Sequence, residues 1–201
     1  MGKIFYIVGK SCSGKDTIYR RLLEDGELGL KAVVPYTTRP MRDGEAEGRD
    51  YFFRTEKELE ELRAAGCVIE ERVYQTYYGP WYYFTVDDGQ IRPEEGSVLM
   101  IGTLPAYMAV RDYFGRDKVI PLYIDLDDGE RLQRALNRER TQESPKYEEM
   151  CRRFLADSED FSEEKVREAG IGRRFYNFNL EQCLKQLRSW IQEEDTDGLP
   201  M

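Results

Sequence analysis

The apolar positions near the start of the chain do not alternate. Residues 4–8, Ile-Phe-Tyr-Ile-Val, are an unbroken β-rich run that predicts a buried strand, and a glycine-rich turn follows from Gly9. Ile18, Leu22 and Leu23 then recur at helical spacing. Residues 30–34 read as a second strand, and 55–65 as a surface helix with Leu59 and Leu62 set among charges. Residues 67–70 and 82–86 read as strands, with Tyr77-Tyr78-Gly79-Pro80 turning between them. Residues 97–101 and 119–124 are apolar runs of the kind found in buried parallel strands, and helical patterns follow near 105–113 and 128–139. Residues 146–168 are charged and helical, 174–178 form a last strand, 180–192 a last helix, and 193–201 a polar tail.

Strand and helix alternate at both ends of the chain, while the middle is richer in strands. This order predicts an α/β fold: a parallel sheet with helices on its faces, plus a small mixed subdomain around residues 36–88. At 201 residues the chain suits one compact domain.

Composition narrows the chemistry. There is no histidine, which removes Ser-His and Cys-His nucleophilic catalysis and imidazole metal sites. Cys12, Cys67, Cys151 and Cys183 are scattered with no CxxC pair, so free thiols are expected. A net charge of −9, from 30 basic and 39 acidic residues, argues against a broad nucleic-acid footprint. No apolar run approaches the roughly 20 residues needed to span a bilayer, and the first residues lack a signal-peptide pattern. A cytoplasmic protein that does not bind membranes is the expectation; the oligomeric state stays open.

Gly9-Lys10-Ser11-Cys12-Ser13-Gly14-Lys15 spells GxxxxGK between a predicted strand and a predicted helix, the setting a phosphate loop requires. The glycines let the backbone curl its N–H groups toward phosphate oxygens, and the following helix points its positive end at them. Lys15 would reach the β- and γ-phosphates as a point charge. Asp16 stands where the pattern has a Ser or Thr that binds Mg²⁺. Its carboxylate could hold the metal directly, or could repel the phosphates; Thr17 offers a hydroxyl beside it.

Residues 36–53 hold the second informative block. Arg39 and Arg42 lie three apart beside a glycine-bearing turn, with Tyr51 further on. Two planar guanidinium forks and a phenol can converge on one phosphate.

With its GxxxxGK loop, the TTRxxRxGExxGxDYxF block of residues 37–53 and Tyr77-Tyr78-Gly79, the chain resembles the guanylate kinase family over nearly its whole length. The resemblance implies a P-loop NTPase core (1–35 and 96–193), a nucleoside-monophosphate-binding subdomain (36–95) and a helical lid near 138–153. It further implies phosphoryl transfer from ATP to GMP with Mg²⁺. Gly9, Ser11, Cys12, Ser13, Gly14, Lys15, Asp16, Thr17 and Asn177 would bind ATP, with Asp16 as the candidate metal ligand. Arg39, Arg42, Tyr51 and Tyr78 would grip the acceptor phosphate, and Glu70, or Glu71 if the gap shifts, would read the guanine N1 and N2 donors. Arg138 and Arg153 would close from the lid, with Arg134, Arg140 and Arg152 near enough to confuse the alignment.

The departures gather in the base pocket. Pro35 and Tyr36 replace two serines of the family pattern, Pro80 replaces a hydroxyl residue, and Met100 and Gly102 stand in place of aspartates. Each unpartnered base edge would cost about 1–3 kcal/mol, so another nucleotide or small phosphorylated acceptor is an alternative. A non-catalytic guanylate-kinase-like binding domain is a further one.

Overall fold

The computed structural model describes residues 2–196. Its main sheet has five parallel strands in the order β2-β7-β1-β8-β9. These are β1 (Ile4–Val8), β2 (Lys31–Ala32), β7 (Val98–Ile101), β8 (Val119–Asp125) and β9 (Arg174–Tyr176). β1 is central, pairing Tyr6 with Met100 on one side and Pro121 on the other, and all five of its residues are buried. A strand covered on both faces needs apolar residues at every position, which is why its sequence does not alternate.

The two faces of β1 feed two cores. Phe5 and Ile7 pack with Ile18 and Leu22 of α1 (Lys15–Leu23) and Leu184, Leu187 and Ile191 of α7 (Leu180–Thr196). Ile4, Tyr6 and Val8 pack with Tyr107 and Val110 of α3 (Leu104–Phe114) on the other face.

A second sheet, β4-β3-β6-β5, carries the middle of the chain: β3 (Tyr36–Thr37), β4 (Phe52–Phe53), β5 (Val68–Thr76) and β6 (Gly79–Val86). α2 (Glu56–Ala64) lies against it through buried Leu59, beside Tyr36, Phe84 and Val86. Its start is set by a capping box: Thr55 accepts from the Glu58 N–H, and Glu58 accepts from Thr55 N–H. β5 and β6 pair further toward their turn than the apolar pattern alone predicts, so Gly79 and Pro80 lie in β6 and Tyr77-Tyr78 form the tip. The two-residue strands β3 and β4 have no periodicity to read and were not expected from the pattern.

After β8 come α4 (Asp128–Arg140), α5 (Tyr147–Asp160) and α6 (Glu163–Glu168). The predicted helical stretch 146–168 is thus two helices, broken where Phe161 stacks on Tyr123 at 5.8 Å and Ser162 caps α6 by accepting from Lys165 N–H. The tail expected at 193–201 is helical as far as Thr196; the remainder lies outside the described residues. No described helix is long and apolar enough to cross a membrane.

Candidate active site

The turn after β1 has the backbone form that an anion cradle requires. Gly9 is buried, and a Cβ there would sit 2.5 Å from the Ile124 carbonyl oxygen. Gly14 has φ +92°, and a Cβ there would lie 2.2 Å from the Asn177 amide nitrogen. Only glycine satisfies both demands. No side chain caps the start of α1, so the first N–H groups of that helix are left for a ligand. Lys15, about one-fifth exposed, has Asp16 as its nearest carboxylate at 4.0 Å, while the Asp16 side chain is 84% exposed. Cys12 takes φ 62°, a left-handed conformation unusual outside glycine.

Three side chains brace the loop from behind. Asn177 donates from Nδ2 to the Ser13 carbonyl at 2.8 Å. Arg131, 1% exposed, donates from Nε to the Ser11 carbonyl at 3.0 Å and from Nη2 to Asp157 Oδ2 at 3.0 Å. Asp157 in turn accepts from the Ser11 N–H at 2.8 Å. Asp157, one of many charges in the stretch 146–168 read as charged and helical, is therefore structural to this loop. Arg153 reaches the same loop, its Nη2 donating to Ser11 Oγ at 3.0 Å. Arg138 lies beside it, next to Ser11 and Cys12.

On the acceptor side Arg39 is only 3% exposed. Its Nη1 and Nη2 donate to the two oxygens of Glu45 at 2.7 and 2.6 Å, and Nη1 also donates to the Pro40 carbonyl. Its charge lies over the rings of Tyr51 and Phe53, 4.9 and 5.6 Å from their centroids. Nε has no partner, and an unpaired guanidinium N–H is a donor that a phosphate could take. Among the described residues the buried side-chain polar atoms left without partners are Ser13 Oγ, Arg39 Nε and Asn177 Oδ1. All three belong to residues assigned to phosphate or nucleotide from the sequence, and such orphans call for a ligand or water.

Glu45 also accepts from the Arg42 N–H at 2.9 Å. Hydrogen bonds from Arg39, above all, pull its carboxyl down to about 2 against the opposing effect of burial. A depressed folded-state pKa gives stability that is present above the ordinary glutamate value of about 4.3 and is lost as pH falls toward 2. Thermal unfolding of wild type and Glu45→Gln between pH 6 and pH 2 is therefore expected to converge on acidification. A gap independent of pH would show that ionisation of Glu45 contributes nothing.

Other predicted residues are not brought together. Arg42 is exposed, and Tyr78, 82% exposed, pairs edge-to-face with Tyr77 at the hairpin tip. A register shift between Val68 and Glu70 sets how the two neighbouring glutamates face. Glu70 is buried and accepts from Thr85 Oγ at 2.8 Å, whereas Glu71 pairs with Arg63 on the outer side. Sequence reasoning missed Arg131, Asp157 and Arg72. For Arg72 there was a signal: strand alternation puts it on the same face as Glu70.

Gly9, Ser11, Lys15 and Asp16 line one side of a cleft of about 430 Å³; Tyr51, Arg72 and Tyr83 line another, and Arg152 and Arg153 a third. Two anionic ligands could meet there, one on the loop and one on the second sheet.

The comparisons with known proteins agree with this geometry. The family profile described as Guanylate kinase matches residues 1–87, which span the phosphate loop and the second sheet. The guanylate kinase of Porphyromonas gingivalis is 27% identical over 196 residues, covering 96% of this chain and 98% of its own. That of Mycoplasma mobile is 46% identical over 79 residues, 39% of each chain. The crystal structure of guanylate kinase from Anaplasma phagocytophilum superposes with a TM-score of 0.64 over 96% of this chain and 86% of that one, at 21% identity. A loop of the phosphate-binding pattern facing an arginine-bearing second sheet, with one relative matched from end to end, makes this chain similar to the guanylate kinases and gives it their fold.

Proposed function

We propose that the protein transfers the γ-phosphoryl group of ATP to GMP, giving ADP and GDP. The observation that carries this reading is the single cleft in which Lys15 and the loop face Tyr51 and the second sheet, with Arg153 arriving from α5. Phosphoryl transfer needs in-line positioning and cancellation of charge more than covalent help from the protein. Lys15, the loop N–H groups and the start of α1 would hold the β- and γ-phosphates. Ser11, Cys12, Ser13, Gly14 and Thr17 belong to that cradle, and Asn177 keeps its backbone in shape. Arg39 through its unpartnered Nε, Arg42 and Tyr51 would hold the GMP phosphate, whose oxygen attacks without a general base because the phosphate is already anionic. Arg138 and Arg153 would offset charge on the moving group. Tyr78 would have to travel with the hairpin to reach it.

The residues present also fit Mg²⁺. Such an ion takes one or two protein carboxylates alongside substrate phosphates, and the exposed Asp16 carboxylate on the cleft wall beside Lys15 satisfies that need. When bound, the metal would draw charge from the phosphate oxygens.

A coupled ADP-release assay with ATP and Mg²⁺ against GMP, dGMP, AMP, CMP, UMP and dTMP tests the reading. Turnover confined to the guanine nucleotides is expected. Silence with all six, at protein concentrations where ATP binding is measurable, would point instead to a binding role.

A further inference from the structure

β5 carries its side chains alternately to the two faces of the second sheet, so Glu70 and Arg72 point the same way. There they form a closed pair. Arg72 donates from Nε to Glu70 Oε2 at 3.0 Å and from Nη2 to Oε1 at 3.2 Å, and Thr85 donates to Oε1 as well. The Glu70 side chain is 4% exposed and that of Arg72 24%. It is Arg72, not Glu70, that lines the cleft, beside Pro35, Gly102 and Thr103.

A guanidinium has five N–H groups. Two of those on Arg72 are given to Glu70, and a third makes a long contact of 3.4 Å with Thr103 Oγ. One N–H on each terminal nitrogen remains, and the Nη1–Nη2 edge opposite Nε is not engaged by Glu70. Of their neighbours on the cleft wall, Pro35 and Gly102 bring no side-chain donor or acceptor, and Thr103 brings one hydroxyl. Tyr51, Tyr74 and Tyr83 supply apolar faces against which a base could lie.

We propose that Arg72 reads the acceptor base in this chain, its free guanidinium edge donating to guanine O6 and N7, while Glu70 anchors that arginine and does not itself touch the base. The assignment rests on GMP being the acceptor. Guanine offers two acceptors on that edge, whereas adenine replaces one with an amino donor, so a guanidinium fork separates the two bases. It also explains how the pocket can do without the hydroxyls and carboxylates missing at Pro35, Pro80, Met100 and Gly102. The guanine 2-amino group then has no partner and should not matter. Were Glu70 the reader, that amino group would matter most.

The test compares kcat/KM of the wild-type protein for GMP, inosine 5′-monophosphate, 7-deazaguanosine 5′-monophosphate and AMP, so the first answer requires no variant. Inosine monophosphate keeps O6 and N7 and lacks only the 2-amino group; it is expected within about fivefold of GMP, since no protein group loses a partner. Loss of N7 removes one arm of the fork and should cost about tenfold or more, and AMP about 100-fold or more. Arg72→Met should lower kcat/KM for GMP by about 100-fold and erase the difference between GMP and its 7-deaza analogue. That ratio is internal to one protein, so a folding defect would not move it. Inosine monophosphate falling about 100-fold, with the 7-deaza analogue as good as GMP, would overturn the assignment and return the base to Glu70. If GMP itself is not turned over, the function reading fails first and the assignment falls with it.

Discussion

Lys15→Met should reduce kcat/KM by about 10³-fold while leaving the melting temperature nearly unchanged. The rate effect follows from the ammonium's place at the mouth of the phosphate loop. A preorganised charge acting on the moving phosphoryl group in a partly dry cleft is worth about as much as an oxyanion-hole donor, whose removal costs about 10²–10³-fold. The stability effect is small because the folded protein asks little of this side chain. Its nearest carboxylate is the exposed Asp16 at 4.0 Å, and such pairs contribute about 1 kcal/mol or less. Steady-state rates and a thermal melt on the same preparation check both halves. A variant that turns over at the wild-type rate would mean that the loop does not hold the donor.

The opposite pattern is expected of Arg131→Met, where stability falls first. Arg131 is one of the most deeply buried charges in the described residues. It holds the Ser11 carbonyl, Asp157 and Asp128, and its guanidinium lies 4.9 Å from the centre of the Phe154 ring. Methionine can fill part of the space but strands Asp157 and the Ser11 carbonyl. Removing one partner of a buried pair costs about 3–5 kcal/mol, or roughly 6–20 °C in melting temperature for a chain of this size. Below that temperature the variant should still fold, with KM for ATP raised because Ser11 is no longer held from behind. Calorimetry with ATP titrations separates the two effects. If melting temperature and KM both stay put, the brace is incidental.

These two residues also show what could be read from sequence and what could not. Lys15 sits in a seven-residue pattern whose chemistry is local: glycines, a helix start and a lysine within one turn. The same is true of the buried strands, whose uninterrupted apolar runs state their burial, and of Arg39, fixed by Glu45 six residues on. Arg131 is different. Two of its partners, Ser11 and Asp157, lie 120 and 26 residues away, and with Asp128 one turn back on its own helix it reads as one more surface arginine. Asp157 was lost in an acidic run for the same reason. The split of 146–168 into α5 and α6 depends on Phe161 finding Tyr123, a contact between elements that periodicity does not encode. Base recognition was half legible: the sequence showed which polar groups were missing but not that Arg72 would take the cleft-facing place and Glu70 the place behind it.

The pairing of Arg39 with Glu45 bears on how an acceptor arrives. Before any ligand comes, the arginine's charge is already met by a carboxylate 2.6 Å away, so Arg39 itself projects little field into solvent. In a chain of net charge −9, Arg39 would therefore add little long-range attraction for an incoming dianion. If Arg39 holds the acceptor phosphate as proposed, the ligand would join an existing ion pair as a third member, through the unpartnered Nε. Recognition of this kind works at contact range: an anion that cannot seat against that N–H gains nothing from the charge behind it.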